Sequence, residues 1–120
     1  MTKDQLLIIE KGFWHEGADY YNKHIAKGAV FVFPGMILAK EDGVKAADAA
    51  PRWDHLDITR EKLLEIADNV AILTYHAEGK RQGAKDPYSG NITTVYQIDN
   101  GDPKMIFHQH TPDPIVSRSS

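Results

Sequence analysis

The first regular pattern along the chain is helical. Leu6, Ile9, Phe13, Tyr20 and His24 recur at three- and four-residue steps, flanked by Leu7, Trp14, Ala18, Tyr21 and Ile25. Such a stripe predicts one broad apolar helix face. Thr2-Lys3-Asp4-Gln5 fits a capping box at its start, and Gly28 fits a C-cap at its end. The predicted helix is long, about seven turns. Gly12 and Gly17 lie inside it and weaken it by about 1 kcal/mol each unless something packs closely there.

The period changes after Gly28. Ala29-Val30-Phe31-Val32-Phe33 is a β-branched and aromatic run closed by Pro34-Gly35, which predicts a buried strand and a turn, with Met36 to Ala39 pairing back. Glu41 to Ala50, rich in alanine and acidic at its start, predicts a short helix that Pro51 ends. Strands then follow over residues 54–66, 69–82, 87–99 and 104–111, separated by Asp68-Asn69, Gly83-Ala84 and Asp99-Asn100-Gly101-Asp102. Asn-Gly supplies the positive backbone angles of a tight hairpin, so these segments predict an antiparallel meander. Glu61 to Ala67 also has helix propensity, which strand pairing must override. Pro112 and Pro114 end the ordered chain, and Ser117 to Ser120 is expected to fray.

Alternation assigns faces to the strands. Ala71, Leu73, Tyr75 and Ala77 share one face with Ile92, Thr94 and Tyr96, and on the last strand Met105, Phe107 and Gln109 join them. The opposite face, with Val70, Ile72, Thr74, His76, Val95, Ile106, His108 and His110, is amphiphilic and suits a homodimer contact. A slip of one residue in the last strand would bring His108 and His110 inward instead.

Composition narrows the possibilities. The 120 residues are 42% apolar, enough for one core over residues 1–120. There is no cysteine, which removes disulfides, thiolate nucleophiles and zinc-thiolate sites and is compatible with a reducing cytoplasm. Fourteen basic residues against seventeen acidic ones, scattered, argue against nucleic acid as a partner. Leu6 to Ile9 is too short an apolar run for a signal-peptide core, and no run suits a membrane span, so a cytoplasmic protein without a membrane partner is expected.

The order of elements resembles that of the nuclear transport factor 2-like superfamily. Phe13-Trp14, Ala29-Val30-Phe31-Val32-Phe33-Pro34-Gly35, Ala50-Pro51-Arg52-Trp53, Ala71-Ile72-Leu73-Thr74-Tyr75 and His108-Gln109-His110-Thr111-Pro112 are similar to the SnoaL-like branch of small bacterial proteins. Pro103 departs from that pattern, where such proteins often carry tryptophan. The resemblance implies a cystatin-like α+β fold: a cone-shaped, curved antiparallel sheet packed on a long N-terminal helix plus a short second helix, often hollow and often dimeric. It implies no single reaction, because members resemble one another while serving as isomerases, dehydratases, cyclases, epoxide hydrolases or non-catalytic subunits.

The residues expected around a pocket are Trp14, Tyr21, Phe33, Met36, Trp53, Tyr75, Tyr96, Phe107 and Gln109, since buried aromatic hydroxyls and an amide need partners that a small organic ligand would provide. An isomerase needs a carboxylate beside its tyrosines, and Glu78, Asp57, Asp86 and Asp99 fall on the wrong parity or near turns. Asp54, beside Trp53, reaches the cavity mouth at best. The Asp-Arg-Asp cluster of an epoxide hydrolase is not apparent around Arg52 or Arg60. His24, His76, His108 and His110 are candidate bases because histidine titrates near neutrality. His108-x-His110 with His76 offers three metal ligands but no evident carboxylate for a fourth, so neither metal nor cofactor is expected. Two functions remain: a small-molecule-binding protein with an apolar pocket, acting by proton transfer as a lyase, isomerase or cyclase, or a non-catalytic homodimeric interaction module with a filled interior.

Overall fold

The computed structural model describes residues 2–114. Three helices, α1 (Lys3–His15), α2 (Ala18–His24) and α3 (Lys40–Ala49), pack on six strands, β1 (Ile25–Phe33), β2 (Met36–Ala39), β3 (Trp53–Ala67), β4 (Val70–Arg81), β5 (Tyr88–Asp99) and β6 (Asp102–Pro112). The sheet order is β2-β1-β6-β5-β4-β3. The α+β architecture agrees with the sequence pattern, and the chain from Pro34 onward forms its elements close to the expected bounds. The expected fraying at Ser117 to Ser120 lies outside the described residues. Among the described residues no helix is long and apolar enough to cross a membrane.

Two expectations are corrected. The N-terminal segment is two helices rather than one. α1 has the capping box at Thr2 and Gln5 but ends at Glu16, and α2 starts from Gly17, its first amide held by Asp48 of α3 at 3.0 Å. The bend lets the Tyr20 ring fold back beside Gly12, where a Cβ would collide with it, and its hydroxyl donates to the Ile9 carbonyl at 2.8 Å. The sheet is mixed rather than wholly antiparallel, because β6 pairs antiparallel with β5 and parallel with β1. β1 accordingly begins at Ile25, and Gly28, with φ +84, sits in its irregular stretch instead of capping a helix.

Tertiary pairing does override the helix propensity of Glu61 to Ala67. Leu63 pairs with Leu73 and Glu65 with Ala71, after a bulge in which Arg60 has φ +57. Asn100 and Gly101, at φ 53 and 77, make the last hairpin as their types require. The core lies between the helices and the inner sheet face. Leu6, Leu73, Ile92 and Tyr96 are fully buried, each aliphatic among them contributing about 1.5–3 kcal/mol.

The face of β6 departs from strict alternation. Val95 pairs with Phe107 but the next residue, Tyr96, pairs with Met105, so Ile106 is an extra residue in β6. A bulge of this kind inverts side-chain parity beyond it. Met105 therefore points inward, and so do His108 and His110, while Phe107 and Gln109 turn to the outer face.

Candidate functional site

Helix α1 places Leu6, Glu10 and Trp14 one turn apart on the stripe that meets the sheet, and all three are buried. A carboxyl group in the middle of that stripe must find donors. β4 and β5 supply them. Glu10 Oε1 accepts from the Tyr75 and Thr94 hydroxyls, each at 2.7 Å, and Oε2 accepts from Tyr96. Tyr75 in turn accepts from Trp14 Nε1–H at 2.9 Å. Among the described residues no buried side-chain polar atom lacks a partner.

The network continues out of the core. Thr94 pairs with His108 across β5 and β6, and its Oγ1 lies 2.7 Å from His108 Nδ1. His108 Nε2 is 2.8 Å from His110 Nε2, and His110 Nδ1 is 3.1 Å from the Tyr88 hydroxyl. Donors and acceptors fit in one direction when Glu10 is ionised. Tyr88 O–H donates to His110, His110 Nε2–H to His108, His108 Nδ1–H to Thr94, and Thr94 O–H to Glu10. They fit in the reverse direction when Glu10 carries the proton.

Burial sets the acid strengths. It raises the Glu10 carboxyl above its ordinary value, opposed by the hydroxyls of Tyr96, Thr94 and Tyr75. It lowers His108 to about 4, and lowers His110 well below the usual imidazole value, with His108 and Arg81 adding to the effect. Both rings are therefore neutral at physiological pH. Tyr75 and Tyr96 stay protonated because burial, and after it the Glu10 charge, raise them well above the usual phenol value; Tyr88 is pushed up to about 12 by burial and then by Asp113.

His108, His110 and Tyr88 border a cavity of about 350 Å³ between the helices and the inner face of the sheet. Its wall is apolar, with Phe13, Tyr21, Phe31, Phe33, Val44 and Met105, and Trp53, Arg52 and Arg81 stand on the wall as well. A smaller recess of about 210 Å³ is bordered by Trp53, Arg81, Asp86, Tyr88 and His110.

Of the residues expected around a pocket, Trp14, Tyr21, Phe33, Met36 and Trp53 stand on the cavity wall. Tyr75 and Tyr96 do not: they lie behind it, bonded to Glu10. Phe107 and Gln109 are carried to the other face by the bulge at Ile106. Among the candidate bases, His108 and His110 reach the cavity. His24 packs against Tyr20 with ring centroids 4.3 Å apart, away from the wall, and Asp54 is exposed on β3. His76 is bonded to Asp113 at 2.8 Å and does not join His108 and His110, and no group of three metal-ligating side chains gathers among the described residues. Glu10 and Tyr88 were not anticipated. The signal for Glu10 was its position four residues from both Leu6 and Trp14.

A six-stranded mixed sheet, three helices against one face and a cavity between them define an α+β fold of the cystatin-like type. Solved structures of the same build include a ketosteroid isomerase-like protein from Parabacteroides distasonis, at 16% identity over 98% of this chain and 92% of that one, TM-score 0.81. A nuclear transport factor 2-like protein from Cytophaga hutchinsonii matches at 14% identity over 94% and 99%, TM-score 0.78. A protein resembling a Ca/calmodulin-dependent kinase II association domain, from Exiguobacterium sibiricum, matches at 18% identity over 93% and 92%, TM-score 0.77. No family model matches the sequence, and no curated protein matches it. At these identities the likeness is one of fold: the chain has the nuclear transport factor 2-like fold.

Proposed function

We propose that the chain binds a small, largely apolar organic molecule in this cavity and transfers a proton on it, in the manner of a lyase, isomerase or cyclase. The observation that carries the reading is the unbroken series Glu10, Thr94, His108, His110 and Tyr88, buried at one end and bordering the cavity at the other. Burial raises the Glu10 carboxyl and lowers both imidazoles, so the carboxylate is the stronger base of the series and the place where an inward-moving proton comes to rest. When a bound molecule gives a proton to Tyr88, each link passes one inward and Glu10 becomes protonated; the reverse sequence returns it. The isomerase-like neighbour supports the reaction class, and an open cavity favours this reading over a non-catalytic module with a filled interior.

The test uses acetonaphthone, an apolar ketone with exchangeable methyl protons. Titration followed by Trp14 and Trp53 fluorescence should saturate, and deuterium uptake from heavy water should exceed the buffer rate by about 100-fold. Ala47→Phe, which fills the cavity, should abolish both while leaving the melting temperature near that of the wild type. No binding to the wild type, or binding unchanged in the variant, would refute the reading.

The proposal includes a homodimer through the outer face of the sheet. Val30, Phe107, Val95, Ile72 and Leu64 are paired in register across β1, β6, β5, β4 and β3, making one apolar row. Val30 is 38% exposed and Leu64 58%, and an apolar row open to water is better covered. Sedimentation should show twice the 13.5 kDa chain mass, and Ile72→Lys should give the single chain. A wild-type protein that sediments as one chain at micromolar concentration contradicts the dimer.

A further inference from the structure

We infer that the ligand carries a single carboxylate, which Arg81 holds at the edge of the cavity while the apolar body fills the interior. The inference rests on the cavity being the ligand site, and it names the class of molecule the site selects.

The charged side chains on the cavity wall are Arg52 and Arg81, both cations. They are not equivalent. Arg52 is paired with Asp48 at 3.2 Å, whereas Arg81 has no carboxylate within ion-pair distance among the described residues. Asp86 borders the adjoining recess without closing on it.

Arg81 is nevertheless held in place. Nη1 donates to the Pro51 carbonyl at 2.6 Å, and the guanidinium carbon lies 4.3 Å over the Trp53 ring. A planar fork fixed by stacking and one hydrogen bond keeps its other N–H groups available and loses little freedom on binding an anion. The side chain is half-buried, and burial lowers its pKa, so part of its hydration has already been given up. A cation in that state gains more from an incoming carboxylate than one in open water.

One unpaired cation matches one negative charge. A phosphate monoester, with nearly two charges and three acceptor oxygens, would want a second unpaired cation, and the charge of Arg52 is already offset by Asp48. The position is informative too. Arg81 shares the recess with Tyr88 and His110, so a carboxylate held there leaves the carbons next to it at the cavity end of the proton series.

The experiment compares naphthoate with the uncharged naphthamide of the same shape, by calorimetry on the wild-type protein, Arg81→Gln and Arg81→Lys. The wild type should prefer naphthoate by about 10- to 100-fold, the range of one charge-assisted pair. Arg81→Gln should bring naphthoate down to the affinity of naphthamide, leaving the amide unchanged, and Arg81→Lys should recover only part of the preference. Equal affinity of the wild type for both probes overturns the carboxylate assignment and leaves the cavity reading standing. Failure of the wild type to bind either probe overturns both. A preference that Arg81→Gln retains overturns the assignment to Arg81, and the wild-type comparison tests the carboxylate class even where a variant does not fold.

Discussion

His108 offers a stability prediction that can be worked through from its surroundings. The ring is buried between Thr94 and His110, and burial holds its pKa at about 4 against an ordinary 6.5. The folded value is depressed, so the unfolded chain takes up the proton first on acidification. This contribution to stability is fully present above about pH 6.5 and is lost as pH falls toward 4. At about 1.36 kcal/mol per unit, on the order of 2–3 kcal/mol should be lost between pH 7.5 and 4.5 from this ring alone. That is a large part of a typical stability of about 5–15 kcal/mol. His108→Gln keeps a polar side chain beside Thr94 but cannot titrate. Urea unfolding of both proteins at the two pH values isolates the ring, because groups common to both largely cancel in the difference. The wild type should lose about 2–3 kcal/mol more than the variant, equivalent to about 1–2 M in urea midpoint. Equal losses would show that His108 is solvated, and the buried proton series would fail with it.

Two further substitutions probe the inner end of that series. Glu10 is shifted the opposite way: its raised folded pKa means its contribution is present below the ordinary carboxyl value and is lost as pH rises through the folded value. Glu10→Gln should therefore gain stability relative to the wild type from pH 4.5 to pH 7.5 in the same urea assay, and a constant difference would show an unperturbed carboxyl. Tyr75→Phe removes one donor from Glu10 and leaves Trp14 Nε1–H without an acceptor, so thermal or urea unfolding should show a loss of about 1–3 kcal/mol. A neutral result would mean that water reaches both groups.

How much of this was legible in the sequence varies with the physical signal. The strands were readable from β-branched runs and from Asn100-Gly101, because those residue types have few alternatives to a strand and a tight turn. The break between α1 and α2 was signalled by Gly17, but it depends on Asp48, thirty residues away, holding the new helix start. The face of β6 was not readable. Met105, Ile106 and Phe107 are all apolar, so either register buries a suitable side chain, and the pairing with β5 and β1 decides where the extra residue goes. His108 and His110 entered the site through that one bulge, and Phe107 and Gln109 left it. Glu10 is not legible as a site residue because a single charge in an apolar stripe carries no mark of its partners, which lie on β4 and β5.

Glu10 and two neutral imidazoles form one hydrogen-bonded unit that reaches the cavity. The most direct measurement is nitrogen-15 NMR of the histidine rings across the titration of Glu10. Both rings should remain neutral, and their tautomers should exchange together at one midpoint, His108 from Nδ1–H to Nε2–H and His110 from Nε2–H to Nδ1–H, as Glu10 takes up its proton. Glu10→Gln should show no such exchange. Tautomers that stay fixed through the titration, or an imidazolium signal from either ring at neutral pH, would contradict the account.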